Sequence, residues 1–245
     1  PPLPAALARL RVPGARSDRA SPRALDLLSI PLGLMRGRWS KTAANALRLA
    51  LAGGAELLER TIATCDAFAR RTAEAWLDAA TYVYCGGGPN FGTALYSAAK
   101  LLEASGDLGT AQEMEEWAHL EYFAREADTP TILISAGGLD EDRAMEIAAA
   151  ARAIGRRLAV ITPAGGSLAE VAPGECVFPL GGPIRECFSP LVACLPGLLF
   201  AAYRAQLTGE GYFRDFGGGR SPEGGGGISR IRTSKRMLDL PEDYQ

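Results

Sequence analysis

From residue 81 onward the chain alternates between short β-branched or aromatic runs and longer helical ones, with glycine-containing loops between them. No other feature restricts the fold as strongly. Residues 81–85 (TYVYC), 131–135 (TILIS), 157–162 (RLAVIT) and 176–180 (CVFPL) have the composition of buried strands. Residues 91–105, an Ala-rich stretch at 140–154 and an apolar stretch at 185–207 read as helices, the last with Pro190 and Pro196 near its first half. Strands that alternate with helices form a parallel sheet with helices on both faces. The expected fold class is therefore α/β: a three-layer αβα sandwich around a parallel sheet of about five strands, preceded by helices.

The preceding part is less regular. Residues 1–22 are rich in Pro, Arg and Ala and read as a loose lead-in, and the apolar run 23–37 is interrupted by Pro31 and Gly33. Residues 41–80 carry a helical pattern through Leu47, Leu51, Leu57, Leu58, Ile62 and Phe68, with a break expected at Gly53-Gly54. After the last helix, residues 216–227 are glycine-rich and read as a flexible loop. Residues 228–235 then read as a short closing segment. The chain opens on Pro-Pro-Leu-Pro rather than Met, as a fragment, a processed chain or the ordered part of a longer one would. The expected division is a lead-in at 1–40, the α/β domain at 41–235 and a tail at 236–245.

Composition narrows the function. The net charge is −2 among 245 residues, without a basic block, which argues against nucleic acid as a partner. A small anionic ligand held at one local site remains compatible with it. The five cysteines form no CxxC pair and the chain has one histidine, so neither a zinc site nor another metal or cofactor is expected. Free buried thiols point to a reducing, cytoplasmic setting. The apolar run 190–203 is too short to span a bilayer, so no membrane partner is expected.

In a parallel α/β sheet, ligands sit beyond the carboxyl ends of the strands. The loops there are Gly86-Gly87-Gly88-Pro89-Asn90-Phe91-Gly92-Thr93, Ser135-Ala136-Gly137-Gly138 and 163–167. In the first, glycines allow close approach of a ligand to the backbone, and the following helix N-terminus offers N–H groups to an anion. The same pattern also serves as a plain strand-to-helix turn. Further along, Lys100 and Glu103 share a helix face, as an exposed ion pair would or as site residues would. His119 stands among Glu113, Glu115, Glu116 and Glu121, beside Trp117 and Tyr122. It is either a packed or surface histidine or a proton donor kept available near neutral pH by its carboxylate neighbours.

The run CGGGPNFGTALYSAAKLLE followed by AQEMEEWAHLEYF resembles the sugar isomerase (SIS) domain. More narrowly, it resembles the second such domain in the isomerase half of glucosamine-6-phosphate synthase, and the related deglycases of fructosamine phosphates. In that family a glycine loop leads into a helix ending K-x-K-E, and a segment ending E-x-x-H-G-P follows. Lys100 and Glu103 match the first Lys and the Glu, whereas Leu102 replaces the second Lys. Glu116 and His119 match E-x-x-H, and the interval of sixteen residues from Glu103 to His119 fits. Leu120-Glu121 replaces Gly-Pro. In the tail, Gly227-Ile228-Ser229-Arg230 is similar to the family's closing G-L-[SA]-K, with Arg230 in the lysine's place. An arginine there binds charge and does not form an imine. The family's S-x-S-G-x-T phosphate loop is replaced by Ser135-Ala136-Gly137-Gly138-Leu139-Asp140. The resemblance spans residues 41–235 and is specific over 82–123.

The resemblance implies a flavodoxin-like sheet and aldose–ketose isomerisation of a sugar phosphate. Glu103 would move a proton between C1 and C2 through an enediol, and His119 would open the sugar ring. Lys100 or Arg230 would offset charge on the enediolate oxygen. Gly87, Gly88, Asn90, Thr93 and Ser135 would line the substrate. The histidine would come from the neighbouring subunit of a homodimer. The same residues would also suit a deglycase or deaminase of an amino-sugar phosphate. A non-catalytic sugar-phosphate-binding domain is the third reading, and the altered phosphate loop and Arg230 favour it. Residues 23–60 could be the end of a first SIS domain.

Overall fold

A computed structural model describes residues 17–79, 81–172 and 176–210. Two helices come first: α1 (Ser17–Met35) and α2 (Lys41–Ala75). Then follow β1 (Thr81–Gly86), α3 (Pro89–Ser105), β2 (Leu108–Gln112) and α4 (Met114–His119). The chain continues with β3 (Thr131–Ile134), α5 (Glu141–Ala153), β4 (Leu158–Pro163), β5 (Val177–Leu180) and α6 (Pro190–Thr208). The sheet has five strands in the order β2-β1-β3-β4-β5, and every pairing is parallel.

Strand periodicity sorts the side chains onto two faces. Tyr82, Tyr84, Ile132, Ile134, Ala159, Ile161, Phe178 and Leu180 point to one core, which α2, α3 and α6 cover. Val83, Cys85, Leu133, Leu158 and Val160 point to the other, which α4 and α5 cover through Met114, Trp117, Ala144, Ile147, Ala148 and Ala151. Strands buried on both faces read as continuous apolar runs, which is why β1, β3 and β4 were legible.

Three segments differ from the sequence reading. Helix α2 runs unbroken through Gly53-Gly54. Two glycines cost about 1 kcal/mol each against alanine in a helix. The surrounding Ala and Leu, with Leu51 and Leu57 buried on either side, outweigh that cost. Residues 17–22, read as part of the lead-in, belong to α1, which carries both Pro22 and Pro31 within it. It docks on α2 through a small separate core of Ile30, Ala44, Leu51 and Phe188. Strand β2 was not foreseen at all. Its sequence, LGTAQ, is half-exposed at the sheet edge, and pairing with β1 from Thr81↔Leu108 to Cys85↔Gln112 makes it a strand.

Helix α6 covers 19 residues and is long and apolar enough to cross a membrane by length and composition. Within the fold 72% of that window is buried, so its apolarity serves the core. Its one charged residue, Arg204, is almost wholly buried. Its guanidinium grips the Asp107 carboxylate through two hydrogen bonds, of 2.9 and 3.2 Å. It also donates to the carbonyls of Trp76 (3.0 Å) and Ala79 (2.8 Å), which Tyr82 Oη reaches as well. This cluster ties the end of α2, the turn after α3 and the C-terminal part of α6 to β1.

Candidate functional site

The β1–α3 connection leaves the sheet on one face and the β3–α5 connection on the other, so a crevice opens between them at the carboxyl end of the sheet. In doubly wound folds this is where ligands bind. Gly87, Gly88 and Ser135 stand at it. Gly88, with φ of 50°, adopts the positive φ that L side chains resist, and this lets the chain turn into α3. The Gly87 carbonyl accepts from Asn90 N at 2.9 Å, and the Gly88 carbonyl from Phe91 N at 3.2 Å.

Asn90 and Thr93 are buried. Asn90 Oδ1 accepts from Thr93 Oγ1 (3.2 Å) and from Ser189 Oγ (3.1 Å). These contacts join the start of α3 to the start of α6. Asn90 Nδ2 has no partner among the described residues.

Ser135 is buried and donates to Asp140 Oδ1 at 2.8 Å, while its Oγ accepts from Gly137 N at 3.4 Å. Burial pushes the Asp140 carboxyl above the usual carboxylate value; the Ser135 hydrogen bond opposes this and the nearby Glu186 charge adds to it. Glu186 itself accepts from Leu139 N at 3.2 Å. The crevice floor thus carries two carboxylates that sequence reasoning did not single out. Asp140 was visible as the last residue of the altered loop. Glu186 had no local signal, because its partner lies 47 residues away.

Lys100 and Glu103 are well away from this crevice. They sit in the last two turns of α3, about 18 and 22 Å along its axis from Gly88 at 1.5 Å per residue. Lys100 Nζ lies 2.7 Å from Glu103 Oε2 and 5.4 Å from the centre of the Tyr96 ring. The lysine side chain is only 8% exposed and the glutamate 34%, so this is no ordinary surface pair. A carboxylate held by a nearly buried ammonium, yet open on one side, has a fixed direction.

His119 ends α4 and is exposed. Its Nδ1 lies 2.7 Å from the Glu115 carbonyl oxygen. A carbonyl only accepts, so Nδ1 carries the proton and Nε2 is the atom able to exchange one with a ligand. Glu115 meanwhile is held by Arg143 through bonds of 2.6 and 2.8 Å, which depress its carboxyl below the ordinary range. Trp117 is fully buried against Tyr122, in edge contact at 6.2 Å. Glu103 and His119 belong to opposite helical layers, so the chain by itself does not bring them together. Arg230, the glycine-rich stretch and the segment 228–235 lie outside the described residues. Among the described residues no cluster of His, Cys, Asp or Glu is arranged to hold a metal.

No protein-family model matches the chain, and no curated protein matches it. Solved structures do. The C-terminal domain of glucosamine-fructose-6-phosphate aminotransferase from Francisella tularensis superposes with a TM-score of 0.66 at 16% identity, over 76% of this chain and 52% of that one. A candidate phosphosugar isomerase from Salmonella typhimurium gives 0.60 at 17% identity, over 74% and 53%. The sugar isomerase domain of the RpiR transcription factor from Sphaerobacter thermophilus gives 0.51 at 16% identity, over 77% and 97%. The chain has the sugar isomerase fold. It spans about half the length of the first two structures and nearly all of the third. Within the sugar isomerase fold, the positions singled out by motif fall in three places: Gly87, Gly88 and Ser135 at the crevice, Lys100 with Glu103 at the far end of α3, and His119 at the end of α4 on the other face of the sheet.

Proposed function

We propose that the chain is a phosphosugar aldose–ketose isomerase module, cytoplasmic and active as a homodimer. Glu103 of one copy is the base that carries a proton between C1 and C2 through the enediol. His119 of the other copy opens the sugar ring through Nε2. Lys100 offsets charge on the enediolate oxygen. The observation that carries this reading is the Lys100–Glu103 pair, a part-exposed carboxylate oriented by an almost buried lysine 2.7 Å away. General acid–base groups of this kind contribute about a hundred- to ten-thousandfold each.

The test is aldose–ketose interconversion of a hexose phosphate, and separately of a pentose phosphate, in heavy water, followed by NMR. A turning-over enzyme incorporates deuterium at the carbon next to the carbonyl. Glu103→Gln is expected to abolish incorporation while sugar-phosphate binding survives. Near-normal activity in that variant overturns the assignment. Release of ammonia or amine from an amino-sugar phosphate would assign the same residues to C–N cleavage instead.

A second reading is a non-catalytic sugar-phosphate-binding domain. The likeness to the sugar isomerase domain of a transcription factor, over 97% of that chain, supports it. Thermal stabilisation by a sugar phosphate without turnover would favour it.

A further inference from the structure

Glu186 precedes α6 in sequence, yet its side chain reaches across the crevice at the carboxyl end of the sheet. Its Oε2 accepts from the backbone N–H of Leu139, in the loop that leads into α5. Its Oε1 lies 3.5 Å from where a Cβ on Gly88 would be, in the loop that leads into α3. A Cβ on Gly138 would fall 2.6 Å from Glu186 Cδ, so the glycine leaves the space this carboxylate occupies. Asp140 comes up beside it: its Oδ2 lies 3.1 Å from where a Cβ on Gly87 would be. One carboxylate therefore holds a backbone donor of one loop that borders the crevice and stands where a side chain on the other would meet it. Neither Asp140 nor Glu186 is paired with a lysine or arginine among the described residues.

Crevices of this kind, between a glycine loop and a helix start, ordinarily suit an external anion. Here the protein supplies its own. We propose that Glu186 is a resident plug: its carboxylate takes the place of a ligand phosphate between the β1–α3 and β3–α5 loops. The crevice of this chain accordingly binds no phosphate, and it becomes an anion site when the side chain is removed. Two carboxylates a few ångströms from an incoming phosphate oppose it by charge, and Glu186 opposes it also by bulk. The inference stands apart from the isomerase reading, since its readout is anion binding rather than turnover.

The experiment is calorimetric titration of the chain and of Glu186→Ala with inorganic phosphate, against chloride at equal ionic strength. The wild-type chain is expected to show no phosphate site at this crevice, so that any binding at the substrate site of the proposed isomerase is common to both chains. The variant is expected to bind at least about tenfold more tightly, since a contacting like charge is gone. Leu139→Pro deletes the backbone donor, and placed in the Glu186→Ala chain it is expected to abolish the gain. If Glu186→Ala does not fold, Glu186→Ser, which also removes the carboxylate and most of its bulk, serves the same comparison. Equal phosphate binding in wild type and variant overturns the proposal, as does absence of any gain in a folded variant. A gain that survives Leu139→Pro places the anion elsewhere and overturns it too. So does a phosphate found between Gly88 and Gly138 in crystals of the wild-type chain with Glu186 still in place.

Discussion

Glu103 and His119 lie on opposite faces of the five-stranded sheet. Glu103 lies in the last turn of the helix that packs over Tyr82 and Tyr84, whereas His119 ends the helix that packs over Val83 and Cys85. If both act on one substrate, they do so from two copies.

This leads to a complementation test. Glu103→Gln and His119→Asn chains, each inactive alone, are mixed under conditions that exchange subunits. Half of the resulting dimers are heterodimers, and each of those holds one intact site. The mixture should recover about a quarter of wild-type activity, as the two-fold symmetry of a homodimer requires. No recovery after verified exchange would rule out a site shared between copies.

Arg204 and Asp107 make the second prediction. Replacing Arg204 with Met leaves a nearly buried carboxylate without its cation, and loses donors to the Trp76 and Ala79 carbonyls. Breaking one half of such a pair costs about 3–5 kcal/mol. Urea unfolding should show a loss of that order. Adding Asp107→Leu should restore part of it but not all, because the two carbonyls remain unserved by the arginine. A loss below about 1 kcal/mol, the size of an exposed pair, would mean the cluster is dispensable.

The third concerns pH. Burial raises the Asp140 carboxyl above its ordinary value of 3.8, and the Glu186 charge adds to the rise. As pH falls from neutral, the folded chain therefore binds this proton before the unfolded chain does. The contribution of Asp140 to stability thus increases as pH falls and is least favourable once pH exceeds the raised folded-state value. Asp140→Asn removes the charge at constant shape. It should raise the melting temperature at pH 7, with the advantage shrinking toward pH 4. An advantage independent of pH would assign the effect to packing instead.

Thiol chemistry provides the fourth. Of the five cysteines Cys187 is exposed, whereas Cys65, Cys85, Cys176 and Cys194 are buried. Burial drives the Cys65 and Cys85 thiols well above their ordinary range, which also suppresses the reactive thiolate. A disulfide reagent should label one thiol rapidly in the native chain and five after denaturation. Rapid labelling of two or more would show that one of the buried cysteines is reached by solvent.

The α/β class, the buried strands β1, β3 and β4 and the helices after them could be read from the chain alone. Each is a local matter: a run buried on both faces is apolar throughout, and a helix repeats its apolar face every turn. Local spacing also picked out Lys100 with Glu103, because three residues on a helix is a contact. The interval from Glu103 to His119 matched a motif but carried no information on which face of the sheet each would occupy. That depended on β2, which owes its conformation to hydrogen bonds with β1 rather than to its own composition. Helix α2 survived Gly53-Gly54 through packing, against local propensity. Arg204 is a lone charge in an apolar helix, and its partner Asp107 lies 97 residues before it. Glu186 reaches its partner across 47 residues. Sequence determined what each segment would bury. Which polar groups would meet was decided by strand order and chain closure, because hydrogen bonds and charges act only at contact distance, and only the assembled sheet brings distant segments that close.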